Sequence, residues 1–140
     1  KGRIIGEDAD LPDEVLNFIE EHHGTMTMKY FYNKAKEEMG EESPSVDEFK
    51  YPGPKPQNRE TGIVMLADSV EAASRTLTDP KPSRLRNLVQ GIINDRFQSG
   101  ELENCPLTLR DLALIRESFT QILIGVFHHR IEYPDKVEEK

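Results

Sequence analysis

Apolar side chains recur every three or four positions along much of this chain, which is the spacing that places them on one face of an α-helix. The pattern is strongest over residues 59–77, 83–99 and 108–133, and it predicts a helix in each stretch. The expected buried stripes of the first and last helix are Ile63, Leu66, Ala67, Val70, Ser74 and Leu77, and Leu112, Ile115, Phe119, Ile122, Leu123, Val126 and Phe127. Val64 and Met65 add apolar surface to the first of these helices, so we expect that end to be enclosed on most sides.

Local signals mark where other helices begin and end. Pro12, followed by two acidic residues, favours the first turn of a helix that Gly24 then ends. Thr108, with Asp111 three positions later, is typical of a helix N-terminus. A further helix is predicted over residues 27–39, and no alternating apolar stretch is long enough to predict a sheet. The predicted fold class is all-α.

A long proline-rich loop separates the early helices from the later ones over residues 40–58. The alternate prolines within residues 52–56 are incompatible with a regular helix. Such a segment can be a ligand for SH3-like domains, but a stiff connector fixed to the domain surface is the favoured interpretation. Pro134 is expected to stop the last helix, and residues 135–140 are predicted to form a frayed, charged tail.

Charge and composition exclude some classes of protein. The 140 residues include 18 basic and 26 acidic side chains, for a formal charge of −8. A protein that holds polymeric nucleic acid by its phosphates needs a basic face, so we expect no such partner. The longest apolar run, residues 63–67, is far shorter than the roughly 18–20 residues that span a bilayer. The single cysteine, Cys105, excludes a disulfide within the chain and is typical of a reducing compartment.

The four histidines form two adjacent pairs, each near the end of a predicted helix. The helix dipole alone favours histidine at such an end, which is one interpretation of both pairs. Successive residues of a regular helix point about 100° apart and cannot bind one ion together. Gly24 ends the helix directly after His22 and His23, whereas the pair at positions 128 and 129 lies inside a continuing helix beside a basic residue. His22 and His23 are therefore the better candidate ligands.

Asp68 directly follows the apolar run of residues 63–67. One interpretation is a solvated polar face of the helix, with Asp68 in contact with Arg75 two turns further on. The other is a ligand, because a carboxylate among apolar side chains is costly unless it is paired or bound to a metal. Two histidines and an aspartate are a suitable partial shell for a first-row divalent ion. Spacing alone leaves both interpretations open.

Six motifs, spread over residues 11–134, carry a family resemblance. They are EHHGT at 21–25, KYFYNKA at 29–35, YPGPKPQ at 51–57, MLADSVEA at 65–72, LTLRDL at 107–112 and RIEYP at 130–134. In combination they resemble the bacterial membrane-anchored HD-domain phosphohydrolases of the PgpH type. Members of that family carry an extracytoplasmic region, a set of transmembrane helices and a cytoplasmic HD domain that hydrolyses cyclic di-AMP to the linear dinucleotide.

The resemblance implies an HD-type helical bundle and assigns roles to particular residues. It implies that His22 and His23 are ligands of one divalent metal ion and that Asp68 is a ligand of a neighbouring one. The two ions, manganese or iron, would serve the hydrolysis of a cyclic dinucleotide, cyclic di-AMP above all. Arg75 is a predicted phosphate contact, with a structural ion pair to Asp68 or Glu71 as the alternative.

The sequence departs from the family pattern before His22. An HD site also needs an upstream histidine, a His-Asp dipeptide whose aspartate bridges the metals, and a further histidine, and this chain carries none of them ahead of His22. We therefore expect residues 1–140 to be the C-terminal part of one HD domain, incomplete at its N-terminal side and inactive alone. The parent protein is expected at the cytoplasmic side of the bacterial membrane, attached only through upstream helices. Apolar surface left uncovered is expected to promote self-association.

Two other functions stay open on the sequence alone. One is a different HD phosphohydrolase reaction, such as hydrolysis of cyclic di-GMP or guanosine tetraphosphate. The other is a helical regulatory or interaction module without catalytic activity.

Overall fold

The computed structural model describes residues 1–40 and 43–128, whose regular structure is helical. A short 3-10 helix, Val46–Phe49, lies within the proline-rich segment. Thr27 and Lys50 form an isolated antiparallel β-bridge. The predicted all-α class is confirmed. Six α-helices fall in the described ranges: α1 (Gly2–Asp8), α2 (Asp13–Glu21), α3 (Lys29–Met39), α4 (Arg59–Ser74), α5 (Pro82–Gln98) and α6 (Leu109–His128).

The hydrophobic core lies between α4, α5 and α6, with α5 packed against both of the others. Full burial of an aliphatic side chain contributes about 1.5–3 kcal/mol to stability, so this set is the main apolar contribution from the described residues. None of the described helices is long and apolar enough to cross a membrane. The buried apolar members of the core are Met65, Leu66, Val70, Leu85, Val89, Ile93, Leu102, Cys105 and Leu123.

Side-chain caps fix the starts of α4 and α6. The side-chain oxygen of Asn58 accepts a hydrogen bond from the backbone N–H of Thr61 at 2.8 Å, which satisfies a free donor in the first turn of α4. The backbone N–H of Thr108 donates to the Asp111 carboxylate at 2.8 Å, and the N–H of Asp111 donates to the Thr108 hydroxyl at 3.1 Å. The hydrogen bonds from Thr108 lower the pKa of Asp111. The predicted helix N-terminus at Thr108 is confirmed.

Helix α1 is not predicted by the hydrophobic pattern. It has seven residues, two of them glycines of low helix propensity, and both of its isoleucines are exposed. Contacts with α2 hold it: the Arg3 guanidinium donates to Glu7 within α1 and to Glu20 of α2, each at 2.7 Å. Gly6 lies against Leu16, where a Cβ would crowd the leucine side chain. The contacts of Arg3 with Glu20 and of Gly6 with Leu16 are tertiary, which is why local periodicity does not reveal them.

The first half of α4 is less enclosed than the pattern predicts. Ile63 and Val64 are exposed, although the next two residues are fully buried. The expectation that this end is enclosed on most sides is therefore wrong. The buried face at this end of the helix includes Gly62 and Met65. Because Gly62 has no side chain, Cys105 packs directly against the helix there.

Helix α6 shows a similar departure. Ile122 and Val126 are 59% and 44% exposed, so their placement in the buried stripe is wrong, whereas Leu123 is 8% exposed as predicted. Because α6 packs mainly along α5 and touches α4 less, the side that carries Ile122 and Val126 borders an open cavity. The second residue of the later histidine pair, the expected stop at Pro134 and the charged tail 135–140 lie outside the described residues.

We expect Gly62→Ala to destabilise the protein by about 1–3 kcal/mol, because the new Cβ would lie 2.7 Å from the Sγ atom of Cys105. Urea denaturation followed by circular dichroism measures the free energy of unfolding. Gly91→Ala is the matched control, since Gly91 also lies inside a helix but a Cβ there meets nothing within 4 Å. That control should be neutral or stabilising by up to about 1 kcal/mol. Equal effects of the two substitutions would contradict the packing at Gly62.

Candidate functional site

The chain turns sharply where α2 ends, over residues 21–25, here called the His–His turn. His22 keeps helical backbone angles as the C-terminal cap of α2, and Gly24 has a φ of +52°. That φ favours glycine, and a Cβ at Gly24 would also overlap the Glu101 carboxylate. The backbone N–H of Gly24 donates to the carbonyl of Glu21 at 2.9 Å. The turn leaves the imidazoles of His22 and His23 side by side, with ring centroids 3.9 Å apart.

The buried carboxylate of Glu101, which is distant in the chain, holds the His–His turn in place. Glu101 is 4% exposed and lies just after α5. It accepts a hydrogen bond from the backbone N–H of Thr25 at 2.9 Å and another from the Thr25 hydroxyl at 2.6 Å. A buried carboxylate is costly unless it is hydrogen-bonded, so this pairing is strongly favoured once the fold forms. It fixes the turn to the connection between α5 and α6.

A second buried carboxylate, that of Glu21, joins the His–His turn to the proline-rich segment. It accepts a hydrogen bond from the backbone N–H of Gln57 at 2.9 Å. Nearby, Pro56 is fully buried, and its carbonyl accepts a hydrogen bond from the thiol of Cys105 at 3.4 Å. In the same segment, the ring of Tyr51 stacks on His23 with centroids 4.3 Å apart. These contacts hold the proline-rich segment in place along one side of the site. Such a fixed position agrees with the interpretation of the segment as a stiff connector on the domain surface.

Three residues of this arrangement, Glu21, Tyr51 and Glu101, are not singled out by periodicity or by spacing. Glu21 and Tyr51 fall within motifs that carry the family resemblance, and their place in those motifs is the available signal. Glu101 lies in a polar turn 76 positions from its partner, and no local pattern indicates a contact over that separation.

The ring of His22 is oriented by the backbone of its own helix. Its Nδ1 lies 2.6 Å from the carbonyl oxygen of Phe18. A carbonyl oxygen can only accept, so Nδ1 carries the hydrogen, and Nε2 of the neutral ring keeps its lone pair. Histidines that bind metals commonly make such a hydrogen bond through their other ring nitrogen. His22 is thus held in the tautomer that a metal ligand needs.

Asp68 of α4 lies close to His23, with Oδ2 3.8 Å from Nδ1. The side chain of His23 is 34% exposed and that of Asp68 is 47% exposed, so solvent weakens the direct attraction between them. Burial and the neighbouring His22 lower the pKa of His23, and the charge of Asp68 opposes that shift. The structure thus brings the three predicted ligands His22, His23 and Asp68 into one neighbourhood, with His23 favoured in its neutral form.

The donor set of these three residues suits part of a metal shell. Within the ranges that the structure describes, no group of three or more His, Cys, Asp or Glu side chains is arranged to hold an ion. The His22 tautomer, the lowered pKa of His23 and the accessible oxygens of Asp68 are each compatible with a first-row divalent ion. Of the two interpretations of Asp68 that the sequence left open, the structure agrees with an exposed position on the polar face of α4. The partner of Asp68 there is His23, whereas Arg75 pairs with Glu71.

Arg75, the predicted phosphate contact, lies apart from this group. Its Nε donates to Oε1 of Glu71 at 2.6 Å, which is the ion pair expected as the alternative. The side chain is 73% exposed and borders an open, mainly apolar cavity of about 580 Å³ between α4 and α6. Among the described residues, no hydrogen bond or ion pair joins Arg75 to His22 or Asp68. A phosphate contact by Arg75 stays a prediction.

Comparison with known proteins identifies relatives of this chain. The cyclic-di-AMP phosphodiesterase PgpH of Bacillus subtilis is 46% identical over 128 residues, which are 91% of this chain and 18% of that protein. The protein of the same name from Listeria monocytogenes is 40% identical over 136 residues, which are 96% of this chain and 18% of that protein. No family model matches the chain.

A solved structure matches as well. The crystal structure of the L. monocytogenes PgpH HD domain in complex with cyclic di-AMP has a TM-score of 0.85 and 37% identity, covering 94% of this chain and 61% of that chain. The chain therefore spans under a fifth of the length of the curated relatives and about three fifths of the solved domain. The resemblance to PgpH-type HD-domain proteins is confirmed, and so is the HD-type helical fold.

We expect the imidazole of His23 to titrate below the ordinary histidine pKa of about 6.5 in an NMR titration. Asp68→Asn should lower the pKa of His23 further, and His22→Gln should raise it, because each removes one of the opposing charges. The folded state then binds fewer protons than the unfolded state, so stability is lost as the pH falls through the unfolded value toward the folded one. Asp79→Asn, in a distant turn, is the control, and unchanged midpoints in both test variants would contradict the geometry.

We expect Glu101→Ala to lower the free energy of unfolding by about 1–3 kcal/mol, because it leaves the partly buried N–H of Thr25 without its charged acceptor. The stacking of Tyr51 on His23, followed by NOEs between the two rings, should weaken in the same variant. Glu103→Ala is the control, since Glu103 is exposed and forms its ion pair with Lys55 rather than with the His–His turn. If the two substitutions had the same effect on stability and on the ring contacts, Glu101 would not be the anchor of the turn.

Proposed function

We propose that residues 1–140 are the C-terminal part of the HD domain of a metal-dependent phosphodiesterase that hydrolyses cyclic di-AMP to the linear dinucleotide. The observation that carries the proposal is the likeness, over 94% of this chain and with a TM-score of 0.85, to an HD domain crystallised with cyclic di-AMP. Two curated relatives, 46% and 40% identical, are named for the same activity. The chain covers 18% of each, so the activity is proposed for the parent protein.

In this proposal the imidazole nitrogens of His22 and His23 hold one divalent ion, and the carboxylate of Asp68 holds a second. Manganese and iron suit such a mixed set of nitrogen and oxygen donors. When bound, ions of this kind polarise a phosphate and lower the pKa of a bound water, which makes hydrolysis possible near neutral pH.

The chain's own part in the reaction is to hold those donors in fixed positions. Glu101 and Glu21 fix the two ends of the His–His turn, and the carbonyl of Phe18 fixes the tautomer of His22. Tyr51 covers one face of His23 and limits its rotation. Ligands that keep their geometry before the substrate arrives need less reorganisation during the reaction, and this favours catalysis.

Arg75 can contact a phosphate only after it leaves its present ion pair. It would have to exchange its ion pair with Glu71 for a phosphate oxygen, and the exposed position of both side chains makes such an exchange inexpensive. We propose it as a phosphate contact because it lies two turns beyond Asp68 in the same part of the chain.

The parent protein is proposed to act at the cytoplasmic side of the bacterial membrane, with the part described here outside the lipid. The chain by itself is expected to hydrolyse cyclic di-AMP slowly or not at all. The reason is that the upstream histidine and the bridging aspartate that the resemblance requires are not among its residues before His22.

The test is a hydrolysis assay on the parent protein with a panel of cyclic di-AMP, cyclic di-GMP and guanosine tetraphosphate, with products separated by chromatography. We expect cyclic di-AMP to be the preferred substrate and a chelator to abolish its turnover. His22→Ala, His23→Ala and Asp68→Asn should each lower the rate at least about 100-fold, since ligand loss costs no less than loss of a residue that orients a ligand.

Two comparisons make that assay decisive. His128→Ala removes a histidine at the described end of α6, outside the His–His turn, and should leave the rate unchanged. Preferred turnover of another nucleotide would replace the substrate in the proposal. Full activity of the His22, His23 and Asp68 variants would show that the metal ligands lie elsewhere, and turnover by residues 1–140 alone at the rate of the parent protein would overturn the view that this part is incomplete.

A further inference from the structure

Two elements lie between the His–His turn and Tyr51 and are here together called the arm: α3 (Lys29–Met39) and the 3-10 helix (Val46–Phe49). Among the helices that the structure describes, α3 packs against the 3-10 helix and against no other. Their contact includes the rings of Tyr32 and Phe49, whose centroids lie 5.8 Å apart. No residue of either element is buried, in contrast to α4, α5 and α6. The arm is therefore attached to the molecule without being part of its core.

The arm has little stability of its own. Helix α3 has 11 residues, and isolated helices shorter than about 12 residues are marginal in water. No side chain caps its first turn, and Tyr30 and Phe31 in that turn are exposed. A segment with so few buried apolar contacts opens at a lower free energy than the core of the same protein.

Backbone hydrogen bonds close the base of the arm beside the candidate site. The N–H of Met28 donates to the carbonyl of Phe49 at 2.6 Å, and the N–H of Tyr51 donates to the carbonyl of Met26 at 2.9 Å. The isolated β-bridge of the fold lies between these two bonds. The bond nearest the site thus involves Tyr51, the residue whose ring stacks on His23.

The chain is fixed to the core just outside the base of the arm. Glu101 holds Thr25 before the base, and Glu21 holds Gln57 after it. The part of the proline-rich segment that is tied to buried groups therefore starts beyond the arm. A polar cavity of about 610 Å³ lies between the base, which contributes Lys50, and the end of α5. The arm has fixed attachment points and free space beside it.

We propose that the arm is a hinged flap, which opens as a unit while the core stays folded and withdraws Tyr51 from His23 as it opens. The two movements are linked because opening the base breaks the hydrogen bond from the N–H of Tyr51. The closed form covers one face of the His23 ring, and the open form exposes it. The inference rests on the proposed function only in giving this ring the role of a metal ligand. An ion that prefers the closed form must then also stabilise the arm.

The test is native-state hydrogen exchange of residues 1–140 without metal, followed for each amide by NMR at low urea concentrations. The amide of Tyr32, which donates to the carbonyl of Met28, should exchange at least about 100-fold faster than that of the fully buried Val89, after correction for intrinsic rates. Its free energy of exchange should fall less steeply with urea, because partial opening exposes less surface than global unfolding. The amide of Tyr51 should follow that of Tyr32 in both respects.

Tyr32→Ala should raise the exchange rates of the α3 amides and of the Tyr51 amide about three- to tenfold, because it removes the ring contact with Phe49. In the same variant, the ring signals of His23, which are displaced by the stacked ring of Tyr51, should move toward those of a free histidine.

Tyr30→Ala is the matched control. It removes the same side chain from the same helix, but the ring of Tyr30 is 72% exposed and pairs with Phe31 instead of the 3-10 helix. Both substitutions change helix propensity alike, so the difference between them reports the contact within the arm.

Equal exchange of the arm and core amides would show one cooperative unit and would overturn the proposal. So would faster exchange of α3 in Tyr32→Ala with no change at Tyr51 and His23, or equal effects of Tyr32→Ala and Tyr30→Ala. These measurements need neither metal nor substrate, so a failure of the proposed phosphodiesterase activity leaves them unaffected and the two proposals fail separately.

Discussion

The hydrogen bonds that the buried Glu101 carboxylate accepts from Thr25 are the constraint on which the candidate site depends. They connect the end of the second helix to a turn 76 positions later in the chain, and they can form only when the three-helix core has brought the two together. Packing of the core therefore also stabilises one backbone conformation of residues 21–25. Because the carboxylate occupies the space where a Cβ would lie, the same contact restricts position 24 to glycine.

The surrounding interactions extend this constraint to both sides of the imidazoles. Glu21 fastens the proline-rich segment to the end of α2, and that segment brings Tyr51 over the ring of His23. Because the segment is polar and rich in proline, it forms little regular secondary structure on its own. Its order comes from contacts with buried groups such as Pro56, and this explains how an irregular segment can form a rigid wall.

Much of this architecture follows from the sequence. The periodicity of α4 to α6 and the pairing of Thr108 with Asp111 predict the core helices, since both signals are local. Gly24 also indicates that helical geometry ends directly after His22 and His23. Residues near one another in sequence leave patterns that can be read without the fold.

What the sequence does not reveal depends on contacts between distant segments. Periodicity identifies an apolar stripe but not which neighbour covers each position, so Ile63 and Ile122 are exposed where burial is predicted. The same reason hides the anchoring role of Glu101, whose partner Thr25 lies 76 positions away in the chain. Such features need the relative placement of the helices.

The most direct test of the central claim, that the His–His turn and Asp68 are built to hold metal ions, is anomalous scattering from crystals of the complete HD domain of the parent protein grown with manganese. The account predicts a peak about 2.0–2.3 Å from Nε2 of His22 and from a ring nitrogen of His23, and a neighbouring peak at a similar distance from the carboxylate of Asp68. Peaks remote from these three side chains, or a His22 that coordinates through Nδ1 after releasing the carbonyl of Phe18, would contradict it.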